Sequence, residues 1–150
     1  MSADFFQKYV APAYEDWRKN PSDIRLAKLL ASELNNIAEH YWKQNHQTSP
    51  TMVGSTSSAT RYRDSLANIL PEFGLIRDVA ECHKHVFLDR RSAKIRSDND
   101  VAVESIGYGQ AYGLRYGGGD VVAVKLKNEE VVYFDILSEK VYQYWKSLFT

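Results

Sequence analysis

Residues 75–91, reading LIRDVAECHKHVFLDRR, put Arg77, Asp78, His83 and His85 on one expected helix with basic residues trailing behind. An imidazole exchanges protons near neutrality, and a guanidinium offers a planar fork of donors that matches a phosphate. Such groups suit phosphodiester cleavage without a metal. One helps deprotonate a ribose 2′-hydroxyl, one protonates the leaving 5′-oxygen, and a cation steadies the phosphorane between them. The same residues admit a plainer role. His83 shares an expected helical face with Ile76, Val79 and Phe87, which fits a core histidine. Arg77 and Glu81, one helical turn apart, fit a surface pair of small energetic value.

Arg77, Asp78 and His83 satisfy a pattern of arginine, polar residue, four residues, histidine. In that pattern the segment resembles the HEPN superfamily (higher eukaryotes and prokaryotes nucleotide-binding), many of whose members are metal-independent ribonucleases. The resemblance implies an HEPN-like helical domain that binds RNA or cleaves it as an endoribonuclease, with no cofactor. It implies a homodimer whose arginines and histidines meet across a shared cleft. Arg77 would bind the scissile phosphate and His83 would act as acid or base, with His85 competing for that role. Asp78 would fill the polar position that orients the site. Residues 76–149 also resemble bacterial and phage proteins with an arginine-aspartate, lysine-histidine helix, glycine-rich strands and an aromatic C-terminal helix. That second resemblance implies no activity. It leaves open a non-catalytic factor of bacterial or phage origin that binds another protein through a tyrosine-rich sheet or a helical face.

Other groups bear on an RNA site. Lys84, Arg90, Arg91, Lys94 and Arg96 concentrate positive charge at and after the helix end, either as a phosphate-binding patch or as a solvated helix exit. Tyr108, Tyr112 and Tyr116 each precede a glycine, and in a strand that spacing puts all three rings on one face. With Arg115 they form a base-stacking platform or, as packing, a row covering the bundle. Glu33, Asn36 and His40 share a polar stripe that either faces the Arg77 helix as a second half-site or is ordinary surface. Cys82 reads as a buried structural thiol, because neighbours on a helix point about 100° apart and adjacency to His83 makes no dyad. No spacing supports a metal site.

These groups need a scaffold, and the composition describes an ordinary one. At 44% hydrophobic and 25% charged, the chain of 150 residues reads as a single globular domain rather than a disordered one. Lys plus Arg equals Asp plus Glu at 19 each, so no global field draws polyanions and any such site must be local. One cysteine excludes an intrachain disulfide framework. The N-terminus lacks a secretory layout and no apolar run approaches the ~20 residues that span a bilayer, so a cytoplasmic protein is the default.

The expected fold is α+β: an N-terminal antiparallel helical bundle (1–96), a small three-stranded antiparallel meander (97–137) and a C-terminal helix (138–150). Phe6, Tyr9, Val10, Ala13 and Trp17 recur at helical spacing, with Pro12 kinking or interrupting the segment. Asn20-Pro21 signals the start of a long helix carrying Ala27, Leu30, Ala31, Leu34, Ile37, Ala38 and Tyr41. Residues 47–58 read as a mobile loop. A helix over 59–69 precedes another from Pro71, whose apolar face holds Ile76, Val79, Ala80, His83, Val86 and Phe87. Strands are expected at 101–106, 121–126 and 131–136, with a turn at 127–130. Ser138 should cap the last helix, in which Val141, Tyr144, Trp145, Leu148 and Phe149 are apolar.

Overall fold

The computed structural model describes residues 1–106 and 119–150. Helices lead into a three-stranded antiparallel sheet and then a C-terminal helix, the α+β arrangement expected. Tyr108, Tyr112, Arg115 and Tyr116 lie outside the described residues.

The chain opens with α1 (Ser2–Phe5), a π-helical turn (Phe6–Val10) and α2 (Ala11–Lys19). Pro12 does not interrupt this segment but sits in the first turn of α2. Its missing N–H would have bonded the Lys8 carbonyl, and the ladder has already widened there, the Ala11 amide reaching back to the Phe6 carbonyl. Tyr9, expected on the apolar face, is exposed beside Phe5, while Tyr14 takes a core position.

The long helix α3 (Ile24–Asn45) starts later than Asn20-Pro21 suggests. The Asn20 side chain donates instead to the Asp16 carbonyl, and the Asp23 carboxylate caps α3 by accepting from the Arg25 and Leu26 amides. The predicted stripe from Ala27 to Tyr41 is buried throughout. Leu34, Ile37, Ile76, Val79 and Trp145 are each 0% exposed in one cluster. Leu34→Ala is therefore expected to cost ~2–5 kcal/mol in urea unfolding, the range for a cavity that cannot collapse. Within the loop at 47–58, a 3-10 turn (Pro50–Val53) buries Val53, and the Trp42 indole N–H donates to the Thr56 carbonyl.

Two shorter helices follow as predicted, α4 (Ala59–Ile69) capped by Ser58 and α5 (Pro71–His85) opening on its proline. They approach closely at Gly74, where a Cβ would stand 3.2 Å from the Ala67 Cβ, so a side chain there would press α5 off α4. Val86 and Phe87 were expected on the apolar face of α5. They are 53% and 71% exposed, because the chain reverses at Val86.

The strands β1 (Val101–Ile106), β2 (Gly119–Lys125) and β3 (Val131–Tyr133) pair in sequence order, with Val103 opposite Val122 and Val124 opposite Val132. Val101, Val122 and Val124 join the helical core and seat the sheet on it. The turn at 127–130 is as predicted, the Leu126 amide bonding the Glu130 carbonyl. The third strand is shorter than 131–136, because α6 (Phe134–Phe149) begins at once. Phe134 sets its ring edge-on to Trp17 at 5.0 Å, a core contact that outweighs the strand-like run of residues around it. Ser138 is consequently internal to α6, wholly buried, and its hydroxyl donates to the Asp135 carbonyl rather than capping. Among the described residues, no helix is long and apolar enough to cross a membrane.

Candidate functional site

Arg77 and Asp78 lie inside the protein, 4% and 1% exposed. The Arg77 guanidinium donates to Asp64 on α4 at 2.6 Å and to Glu81 on α5 at 3.0 Å. Glu81 accepts in turn from Arg90 at 2.8 Å, and Arg90 also donates to Asp78 at 2.5 Å. The second oxygen of Asp78 accepts the Lys94 backbone amide at 2.6 Å. These groups form one connected network, Asp64–Arg77–Glu81–Arg90–Asp78. It fastens α5 to α4 on one side and to the segment 86–97 on the other. Burial raises the Asp78 carboxyl from its ordinary value against the pull of the Lys94 amide and Arg90. Burial also acts to raise Glu81, but hydrogen bonds from Arg90 and Arg77 outweigh it and hold that carboxyl low.

This placement gives both residues a structural part in the fold, beside the roles that the resemblance implies. The Arg77 guanidinium directs two of its five N–H donors at Asp64 and Glu81, so a phosphate there would share it with two carboxylates. Asp78 turns to Arg90 and Lys94 and has no hydrogen bond with His83 or His85. Nor is the Arg77–Glu81 pair a surface pair, since the arginine side chain is only 5% exposed. The histidines show the opposite surprise. His83 and His85 are exposed, so neither is a core histidine.

Both histidines line a cleft of ≈ 1060 Å³ between α3, α4 and α5. They lie two positions apart on a helix and so point in different directions. The cleft reaches both because α5 ends there. The opposite wall comes from α3 and includes Asn36, the expected member of the polar stripe, with Ser32, Asn35 and Glu39 beside it. Glu33 and His40 are not in the lining, and His40 stacks on Phe5 at 4.0 Å instead.

The residue that sequence reasoning missed is Arg63, on the α4 side of this cleft. Its side chain is only 13% exposed, its contact with Glu39 is long at 3.4 Å, and its Nε is buried with no hydrogen-bond partner among the described residues. Glu39 is meanwhile engaged by Lys43 at 2.7 Å, a hydrogen bond that holds its carboxyl low. Burial lowers Arg63 from its ordinary value, and Glu39 offsets this only in part. Asn35 Oδ1 and Arg90 Nε, also in the cleft lining, are likewise buried and unpartnered. Buried polar atoms nearly always find a partner, so a small shift of these side chains toward the cleft would let each one gain a hydrogen bond. An asparagine amide offers donor or acceptor according to its rotation, and the guanidinium edges offer donors.

The expected basic patch is divided. Lys84 is exposed at the large cleft. Arg90 is absorbed in the ion network. Arg91 and Lys94 line a second cleft of ≈ 550 Å³ on the far side of Arg77. Arg96 is drawn to the hairpin turn, donating to the Lys127 carbonyl at 2.9 Å. Cys82 is wholly buried, and burial with Asp78 nearby pushes its thiol up to about 12, so it is no nucleophile. Among the described residues no cluster of histidine, cysteine and carboxylates is arranged to hold a metal. No family model, curated protein or solved structure matches this chain.

Proposed function

We propose that the protein binds single-stranded RNA in the α3–α4–α5 cleft, and that His83 and His85 at its rim make it an HEPN-like, metal-independent endoribonuclease. The observation that carries this reading is Arg63, a mostly buried cation whose Nε lacks a partner, in the wall of a large cleft that also holds Lys84 and both histidines. A desolvated, under-satisfied guanidinium gains most from an anionic oxygen. The phosphate role that the HEPN resemblance gives to Arg77 thus passes to Arg63, with Arg77 holding the wall. The residues named belong to one subunit, and a homodimer would join two such clefts.

Binding of an oligoribonucleotide at graded salt concentrations tests the reading. Each phosphate contact contributes about 0.7 to the log–log salt slope for a single strand, so Arg63→Ala and Lys84→Ala should each weaken binding and flatten that slope by roughly this amount. Lys84→Ala should melt close to wild type, since that side chain is exposed, and Arg63→Lys, which keeps the charge, controls for the packing lost with the mostly buried Arg63. Unchanged affinity and slope in both alanine variants would sink the proposal. The rival reading, a non-catalytic protein-interaction factor, has in its favour the exposed pair Val86 and Phe87 at the end of α5. Phe87 shares its cleft with Arg63, Lys84 and the histidines, a setting that suits RNA better.

A further inference from the structure

Phe87 is a large apolar ring held in water. After α5 closes with the Val86 amide on the Cys82 carbonyl, Val86 takes φ 69° and ψ −51°, and the Phe87 amide bonds the His85 carbonyl at 2.8 Å. This is a γ-turn with a positive central φ, a rare and strained form, and a β-branched residue at its centre is a genuine outlier. The strain is held from both sides. The Val86 carbonyl accepts the Asp98 amide at 2.8 Å, the Leu88 amide donates to the Arg96 carbonyl at 2.9 Å, and Phe87 bridges Ser97. Asp98 is anchored to α3 through Lys28 at 2.8 Å. The turn leaves the Phe87 ring 71% exposed, in the lining of the cleft. Strained backbone that its surroundings over-determine gathers at ligand clamps.

We propose that Phe87 is a base-stacking position, taking the face of one unpaired nucleobase while the adjoining phosphates lie toward Arg63 and Lys84. The inference rests on the RNA reading of the cleft and narrows it. An aromatic face beside a line of cations is what a single strand offers partners for, base and phosphate in alternation. A duplex hides its base faces within the stack, so the site selects unpaired or splayed-out nucleotides.

The test pairs an oligoribonucleotide carrying 2-aminopurine with the same strand made abasic at that position. Wild-type protein should quench the 2-aminopurine and bind the abasic strand about ten-fold more weakly. Phe87→Trp should retain binding and quenching. Phe87→Ala and Phe87→Leu should both lose roughly the same ten-fold on the intact strand and nothing further on the abasic one. All should melt like wild type, because the ring is exposed. Equal wild-type affinity for the two strands overturns stacking while leaving the phosphate-binding cleft in place. Leucine binding as well as phenylalanine also overturns it, pointing to a merely apolar contact of the kind a protein partner makes. Wild-type protein that binds neither strand rejects the RNA reading itself, and the stacking role with it.

Discussion

Alanine at Asp78 should destabilise the protein by about 1–3 kcal/mol, the cost of leaving a buried donor without its acceptor. The carboxylate is 1% exposed and serves Arg90 and the Lys94 amide together. Removing it leaves the Lys94 N–H without its acceptor, while Arg90 keeps Glu81 and Ser92. It also removes one tie between α5 and Arg90 in the segment 86–97, leaving Glu81 as another. Asp78→Asn should fall between, because an amide keeps one acceptor but turns a donor toward either Arg90 or the Lys94 N–H. Urea unfolding of both variants measures this. A loss under about 1 kcal/mol for Asp78→Ala, in the range of an exposed pair, would show that the network is not the tether described. Arg77→Ala belongs in the same class, since it removes a buried side chain that joins Asp64 on α4 to Glu81 on α5. Loss of activity in that variant would therefore report on folding before it reported on chemistry.

How much of this was legible beforehand depends on the range of the interaction involved. The α3 stripe from Ala27 to Tyr41 repeats one apolar period over many turns, and no tertiary contact overrides it. The β-branched runs gave β1 and the 127–130 turn for the same reason. Boundaries failed where one tertiary contact decided them. Phe134 packs on Trp17, from the other end of the chain, and so turns the end of a predicted strand into α6. The site was less legible still. The partners that bury Arg77 and Asp78 include Asp64 and Arg90, 13 and 12 residues away, and nothing in the arginine-histidine spacing encodes them. Arg63 flanks Tyr62 and Leu66, the buried positions of α4, and a sequence does not say which flank borders a cleft. The core alternative for His83 rests on reading the helix on through Phe87. The reversal at Val86 bears no glycine or asparagine to announce it, and a valine argues against a positive φ.

Histidine substitutions should have the largest effect on activity. If the cleft cleaves RNA, the reaction proceeds in the presence of EDTA, because the imidazoles and guanidinium need no metal. An oxygen–phosphorus bond forms from the 2′-hydroxyl as its proton passes to a base. The bond to the 5′-oxygen breaks as that oxygen receives a proton from an acid. The products are then a 2′,3′-cyclic phosphate and a free 5′-hydroxyl, both identifiable by mass. Loss of one proton-transfer group typically costs ~10²–10⁴-fold in rate. A drop of that size is expected for whichever of His83→Ala and His85→Ala removes the working group, and for both if each serves one transfer. Both side chains are exposed, so neither change should disturb the fold, which separates this test from one on Arg77. Within one subunit the two imidazoles sit on different sides of α5. If acid and base come from different subunits, mixing the two inactive variants restores part of the activity, and a concentration-dependent rate accompanies it. Cleavage that survives both substitutions, or that EDTA abolishes, removes the histidines from the chemistry. RNA that is bound but never cut leaves Arg63 and Lys84 as a binding site, with Phe87 as its reader of unpaired bases.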